Sequence, residues 1–327
     1  MEYRKLGNSD LQVSAITFGA WAAGGWMWGS TDRKDAIAAI VASYHEGVTS
    51  IDTAPIYGQG VSEEIVGEAI KGLSRDKVQI LTKFGMRWDL PTAKGDFAMN
   101  SQDNNGKDIA IYKYAGKESV IKEVEDSLKR LGTDYIDLLQ IHWPDSTTPI
   151  SETMEAMEQL IQQGKIRTAG VSNYSLAQVK EARESLSIVS NQVPYSMLNR
   201  KIESDLVPFA LENELGLIVY SPMERGLLTG KYFKDASFES GDHRSQYFGQ
   251  FDMPKVKALL ETLQPLADQK KATLAQLVLR WTTMQPAITV TLAGARNAEQ
   301  SVSNAQAMQI SLTQEELDFM QAALAKL

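Results

Sequence analysis

Four times along this chain of 327 residues an amphipathic stretch stops at a glycine and a short apolar run follows. The helix-period stripe Ile37, Ile40, Val41 and Tyr44, which Thr31 or Asp32 can cap, ends at Gly47 before the run 48–51. Gly132 precedes the run 135–142, Gly164 precedes Ile166–Ser172, and Gly216 precedes 217–220. Glycine suits the left-handed residue that ends a helix, and a short link then feeds a parallel strand. Further runs at Ile16–Gly19, 78–82, 188–192 and 287–292 bring the count of strands to eight, alternating with helices. No break in composition marks a linker, and no Gly-x-Gly-x-x-Gly follows a strand, which weighs against an open dinucleotide-binding sheet. The pattern predicts an α/β fold, a closed (β/α)8 barrel in which residues 1–327 form one domain. Residues 3–15 read as a hairpin around residues 7–10, an N-terminal cap on the barrel. Two long loops, 84–116 and 222–252, are expected at the C-terminal face, where length beyond about 12–15 residues usually marks a functional or a mobile segment.

A barrel carries its chemistry at the C-terminal ends of its strands. Those ends here are Asp52, Lys83, His142, Ser172 with Asn173, Gln192, and Tyr220 with Ser221. Each alone reads as an ordinary rim residue; six polar ends on apolar strands read as one site. Asp52 is followed by a turn bounded by Pro55 and Gly58, which places Tyr57 five residues beyond it. The chain has no cysteine, which removes disulfides, thiolate zinc sites and a Cys nucleophile, and its three histidines show no ligand spacing, so no metal is expected. A net charge of −8 disfavours nonspecific nucleic-acid binding. No run approaches the ~20 apolar residues of a membrane span, and residues 1–5 lack a signal-peptide core, so a cytoplasmic location is expected.

At these residues the sequence resembles the aldo-keto reductase superfamily, over essentially the whole chain. The resemblance runs from the hairpin through Asp-Thr-Ala-x-x-Tyr-Gly at 52–58 to Gly294-Ala295-Arg296-Asn297. Asp52, Tyr57, Lys83 and His142 match that family's four catalytic residues in order. The phrase at 220–231 resembles the bacterial branch related to potassium-channel β-subunits. The family implies reduction of an aldehyde or ketone to an alcohol by hydride transfer, with NADPH as cofactor. The chemistry suits the residue types. Tyr57 protonates the nascent alkoxide, and a nearby Lys83 ammonium is expected to lower the phenol's ordinary pKa of about 10. Asp52 keeps a buried Lys83 charged, and His142 orients the substrate oxygen.

The resemblance further assigns Ser172, Asn173 and Gln192 to the nicotinamide carboxamide and Tyr220 to stacking on the ring. Ser221, Leu227, Gly230 and Lys231 go to the pyrophosphate; the segment 226–231 is one residue short of a P-loop. Gly294, Arg296, Gln300 and Asn304 open the last strand–helix turn, with Arg296 expected on the adenosine phosphate and Gln300 and Asn304 near adenine. Among the tryptophans Trp21, Trp26, Trp28 and Trp143, those at 21, 28 and 143 are expected to line the substrate side, an aromatic pocket for varied small carbonyl compounds. Two other readings stay open: a barrel that holds NADPH as a redox-sensing regulator, and a Schiff-base aldolase using Lys83.

Overall fold

The eight apolar runs do form the eight parallel strands of a closed barrel in the computed structural model, which describes residues 1–28, 31–90, 92–233 and 244–327. In chain order they are β1 (Ile16–Gly19), β2 (Ser50–Asp52), β3 (Gln79–Phe84), β4 (Ile136–Ile141), β5 (Ile166–Ser172), β6 (Ser190–Pro194), β7 (Gly216–Tyr220) and β8 (Ile288–Ala293). Each pairs with its neighbour in sequence, and β8 returns to β1. Leu138, Leu139 and Ile141 are almost wholly buried, as expected of parallel strands covered on both faces.

The helices between strands stop where the sequence says. Gly132 caps Lys117–Leu131 in the left-handed region, and Gly47 and Gly164 take the same backbone sign after their helices. Gly216 departs from the expectation. It is the first residue of β7, and the left-handed residue before it is Glu214 at φ 49°. Room is short there: a Cβ would stand 2.7 Å from Leu6 Cδ1 and 3.1 Å from the Gly7 backbone nitrogen. The stripe on Arg33–His45 is also rotated from the expected one. Ala36, Ala39, Ile40 and Ser43 are buried, while Ile37, Val41 and Tyr44 are half-buried. Small residues on the inner face let this helix lie close to Ala298–Gln306, and Asp32 caps it, accepting from the amides of residues 34 and 35.

The hairpin of Tyr3–Lys5 and Gln12–Ser14 plugs the bottom of the barrel. Leu6, Leu11 and Val13 pack against Leu81, Leu138, Val189, Ile218 and Val290, which face the barrel interior. The opposite mouth is left for chemistry. The segment 84–116, expected as a loop, is instead a three-stranded antiparallel sheet of Met86–Arg87, Asp96–Gln102 and Asp108–Lys113. In its two longer strands Ile111 is the one fully buried residue, and the register shifts between Phe97 and Met99, so the alternation that would betray them is weak. The expected loop 222–252 contains short helical turns at Glu224–Thr229, Lys231–Phe233, Arg244–Tyr247 and Phe248–Gln250; its residues 234–243 lie outside the described residues. Among the described residues no helix is long and apolar enough to cross a membrane.

Candidate active site

The C-terminal mouth opens into a cavity of about 1590 Å3. Register brings its floor together: Asp52 lies beside Leu81 of β3, and Lys83 lies beside Gln140 of β4. Lys83 Nζ donates to Asp52 Oδ1 at 2.5 Å and to the Thr53 carbonyl at 3.0 Å. Asp52 Oδ2 accepts from Gln192 Nε2 at 2.8 Å and from Gln140 Nε2 at 3.4 Å. Both carboxylate oxygens are therefore used, which a buried ion pair requires if its desolvation is to be offset. The Lys83 side chain is 0% exposed.

Tyr57 stands on the turn after β2, facing the cavity. Lys83 Nζ is 5.2 Å from its ring centroid, and the His142 ring meets it edge-on at 5.6 Å. Trp21 stacks on it at 5.9 Å with 25° between the planes. The loop carrying Trp21 meets the Tyr57 turn backbone to backbone. A Cβ on Gly24 would come within 2.5 Å of the Tyr57 carbonyl, and one on Gly58 within 2.3 Å of the Gly24 carbonyl. The three-stranded sheet grips the same loop: Asn104 Nδ2 donates to the Gly24 carbonyl at 2.9 Å, and Trp26 Nε1 donates to Ser101 Oγ at 3.0 Å.

Burial pushes the Tyr57 phenol well above its ordinary range, and the Asp52 carboxylate adds to the shift. The net lowering of this pKa expected from Lys83 is not what the free site has: desolvation of the phenol, with the Asp52 carboxylate, outweighs an ammonium already matched by Asp52 at 2.5 Å. Burial also pulls Lys83 down from the usual lysine range, opposed by Asp52. His142 is held well below the usual imidazole range by burial and then by Lys83. The mouth therefore presents a protonated phenol and a neutral imidazole side by side, backed by a neutralised ion pair.

The residues assigned to the dinucleotide are mostly brought together. Ser172, Asn173, Gln192, Tyr220, Ser221, Gly230, Lys231, Gly294, Arg296, Gln300 and Asn304 all line the cavity. Asn173, at φ 60°, is a junction: Nδ2 donates to the His142 carbonyl at 2.9 Å and to Ser172 Oγ at 3.1 Å, while Oδ1 accepts from Tyr220 OH at 2.9 Å. Gln192 keeps its carboxamide nitrogen on Asp52, and its Oε1 accepts no hydrogen bond among the described residues. Gln300 Oε1 accepts from the Arg296 amide at 3.0 Å, and Asn304 Nδ2 donates to the Gly294 carbonyl at 3.0 Å, so both brace the last turn. Arg296 donates to the Trp28 carbonyl, with its guanidinium 5.9 Å from the Trp28 ring. Leu227 is the exception. Its side chain is 0% exposed within the core and is not part of the cavity wall.

Trp21, Trp28 and Trp143 line the cavity, and so does the mostly buried Trp26. Trp28 meets Trp21 edge-on at 5.3 Å and so links the Tyr57 end to Arg296. The sequence reading missed Gln140, whose signal was a lone amide in an apolar strand. It also missed Arg225, a cation inside a phrase singled out for other residues, and Met86 and Met99, which the three-stranded sheet brings to the wall.

Residues 15–325 match the family model described as the aldo/keto reductase family. The NADH-specific methylglyoxal reductase of Escherichia coli (strain K12) is 37% identical over 320 residues, covering 96% of each chain. The structure of a glycerol dehydrogenase from Gluconobacter oxydans superposes with a TM-score of 0.87 at 35% identity, covering 99% of this chain and 95% of that one. An aldo/keto reductase from Klebsiella pneumoniae, solved with NADP and acetate, superposes with a TM-score of 0.72 at 30% identity, covering 97% and 93%.

Proposed function

Because the chain belongs to the aldo/keto reductase family, we propose that it is a cytoplasmic, single-domain enzyme reducing aldehydes or ketones to alcohols with NADPH, Tyr57 serving as the acid. The observation that carries this reading is the meeting of Tyr57 and His142 at 5.6 Å in the cavity, with the buried Lys83–Asp52 pair behind the phenol. The residues present fit a nicotinamide dinucleotide. The mouth offers a stacking face at Tyr220, an unused acceptor at Gln192 Oε1, and the cations Lys231 and Arg296 on the same wall. When bound, the reduced nicotinamide supplies the hydride.

The protein's own part is then the proton and the orientation. His142, neutral, donates one N–H to the carbonyl oxygen and holds it toward Tyr57. Tyr57 gives its proton to that oxygen as it becomes an alkoxide, a stronger base than tyrosinate. The Lys83 ammonium, 5.2 Å from the ring, stabilises the tyrosinate left behind. Trp21 and Trp28 keep water from the reacting carbon. The aldolase reading loses support, since a wholly buried Lys83 paired with Asp52 presents no free amine to a substrate. Tyr57→Phe tests the proposal: NADPH binding, followed by fluorescence, should survive, and aldehyde-dependent NADPH oxidation should fall ~10²-fold or more. Turnover near the wild-type rate would remove Tyr57 from the chemistry.

A further inference from the structure

One cation in the cavity has no task in the reaction described so far. Arg225 lines the cavity, and none of its N–H groups donates a hydrogen bond to the described protein. Its Nε is shielded from solvent without a hydrogen-bond partner among the described residues. No ion pair within 4.0 Å joins it to a carboxylate among the described residues. The adjacent Glu224 is occupied, accepting from Ser196 Oγ and from Tyr247 OH at 2.5 Å. Arg225 is held instead by rings: its guanidinium lies 3.6 Å from the Tyr247 centroid and 5.5 Å from that of Trp21. Burial lowers its pKa, opposed by Tyr247 and by the Glu224 carboxylate.

The backbone is strained to put it there. Glu224 at φ 46° and Arg225 at φ 55° are two successive non-glycine residues in the left-handed region, followed by Gly226 at φ 96°. Such conformations cost free energy and gather at ligand sites. Trp21 contacts both this guanidinium and, as a stacked plane, Tyr57, so the cation stands one aromatic ring away from the proposed acid.

We propose that Arg225 is a specificity-determining residue that binds a carboxylate carried by the carbonyl substrate, so that the preferred substrates are aldehydes or ketones bearing an anionic group. A guanidinium with its fork unused matches a carboxylate bidentately, and a low-dielectric wall strengthens the pair. The proposal rests on carbonyl reduction as the reaction. Hydride goes to the carbonyl carbon and a proton to its oxygen, while the bound carboxylate is unchanged.

The test compares 4-formylbenzoate with its methyl ester, two rigid aldehydes of similar shape that differ in charge. Wild-type kcat/KM with NADPH should favour the acid by about tenfold or more, the scale of a charge-assisted hydrogen bond. Arg225→Met should bring that ratio near unity, and Arg225→Lys should retain part of it. NADPH dissociation constants, measured by fluorescence for each variant, separate the other anion in the site. If Arg225→Met weakens NADPH binding tenfold and leaves the acid-to-ester ratio intact, the guanidinium serves the cofactor's pyrophosphate and the proposal is overturned. A wild-type ratio of one or below overturns it with no variant needed. If the ester is reduced without preference for the acid, carbonyl reduction stands and the substrate class falls; if neither aldehyde oxidises NADPH, both fall.

Discussion

Asp52 and Gln192, on strands that face each other across the barrel, are joined by a hydrogen bond of 2.8 Å. The carboxylate at the end of β2 thus ties four strands together, receiving Lys83 from β3, Gln140 from β4 and Gln192 from β6. Asp52→Asn keeps the shape and removes the charge, leaving Lys83 buried without its counter-ion. Stability should fall by about 3–5 kcal/mol, the scale for breaking a buried pair, as measured by urea denaturation at pH 7. The sign of the pH dependence follows. In the variant the folded pKa of Lys83 is depressed further below its unfolded value, so the unfolded chain binds the extra proton, and stability should recover as pH rises toward the usual lysine range. An Asn variant as stable as the wild type at pH 7 would mean that the pair is not what holds Lys83 in place.

The pH profile of the reaction is a second expectation. Burial holds His142 well below 6.5 and Tyr57 well above 10, so between those values neither group changes charge in the free enzyme. The kcat/KM for a neutral aldehyde should therefore be flat from about pH 6.5 to pH 9. A break near pH 6.5 that vanished in His142→Gln would show that the imidazole titrates in the working range and would reverse this account.

Arg296 carries a third. NADPH and NADH differ by a phosphate on the adenosine, and a protein of net charge −8 needs a specific cation to hold it. Arg296→Ala should weaken NADPH binding roughly ten- to hundredfold and leave NADH nearly untouched, as read by fluorescence titration. Equal loss of both would point to the bond between Arg296 and the Trp28 carbonyl, and hence to the shape of the loop, as the real contribution.

Much of the site was legible because barrel strands are apolar until they end. Asp52, Lys83 and His142 stood out as polar residues at the ends of apolar runs, and the structure puts them around one mouth. What was not legible depends on direction and partner. Nothing local says that Gln192 sends its nitrogen across the barrel to Asp52, or that Leu227 turns into the core within a polar phrase. The rise in the Tyr57 pKa comes from burial and from the Asp52 carboxylate, both set by tertiary contacts. The strands at Asp96–Gln102 and Asp108–Lys113 hid for a related reason: a sheet standing off the barrel keeps too little buried surface to impose alternation.

The contact between Gly24 and Gly58 leaves no side chain between the loop of tryptophans and the turn that bears Tyr57. The distance from aromatic wall to phenol is therefore a property of two backbones, and no single substitution can adjust it gradually; the smallest available step, a methyl group, is already a collision. A change in the spacing between that wall and the phenol is confined to exchanging the rings themselves at positions 21, 26 and 28, in discrete jumps of shape, while the backbone of the Tyr57 turn stays where it is.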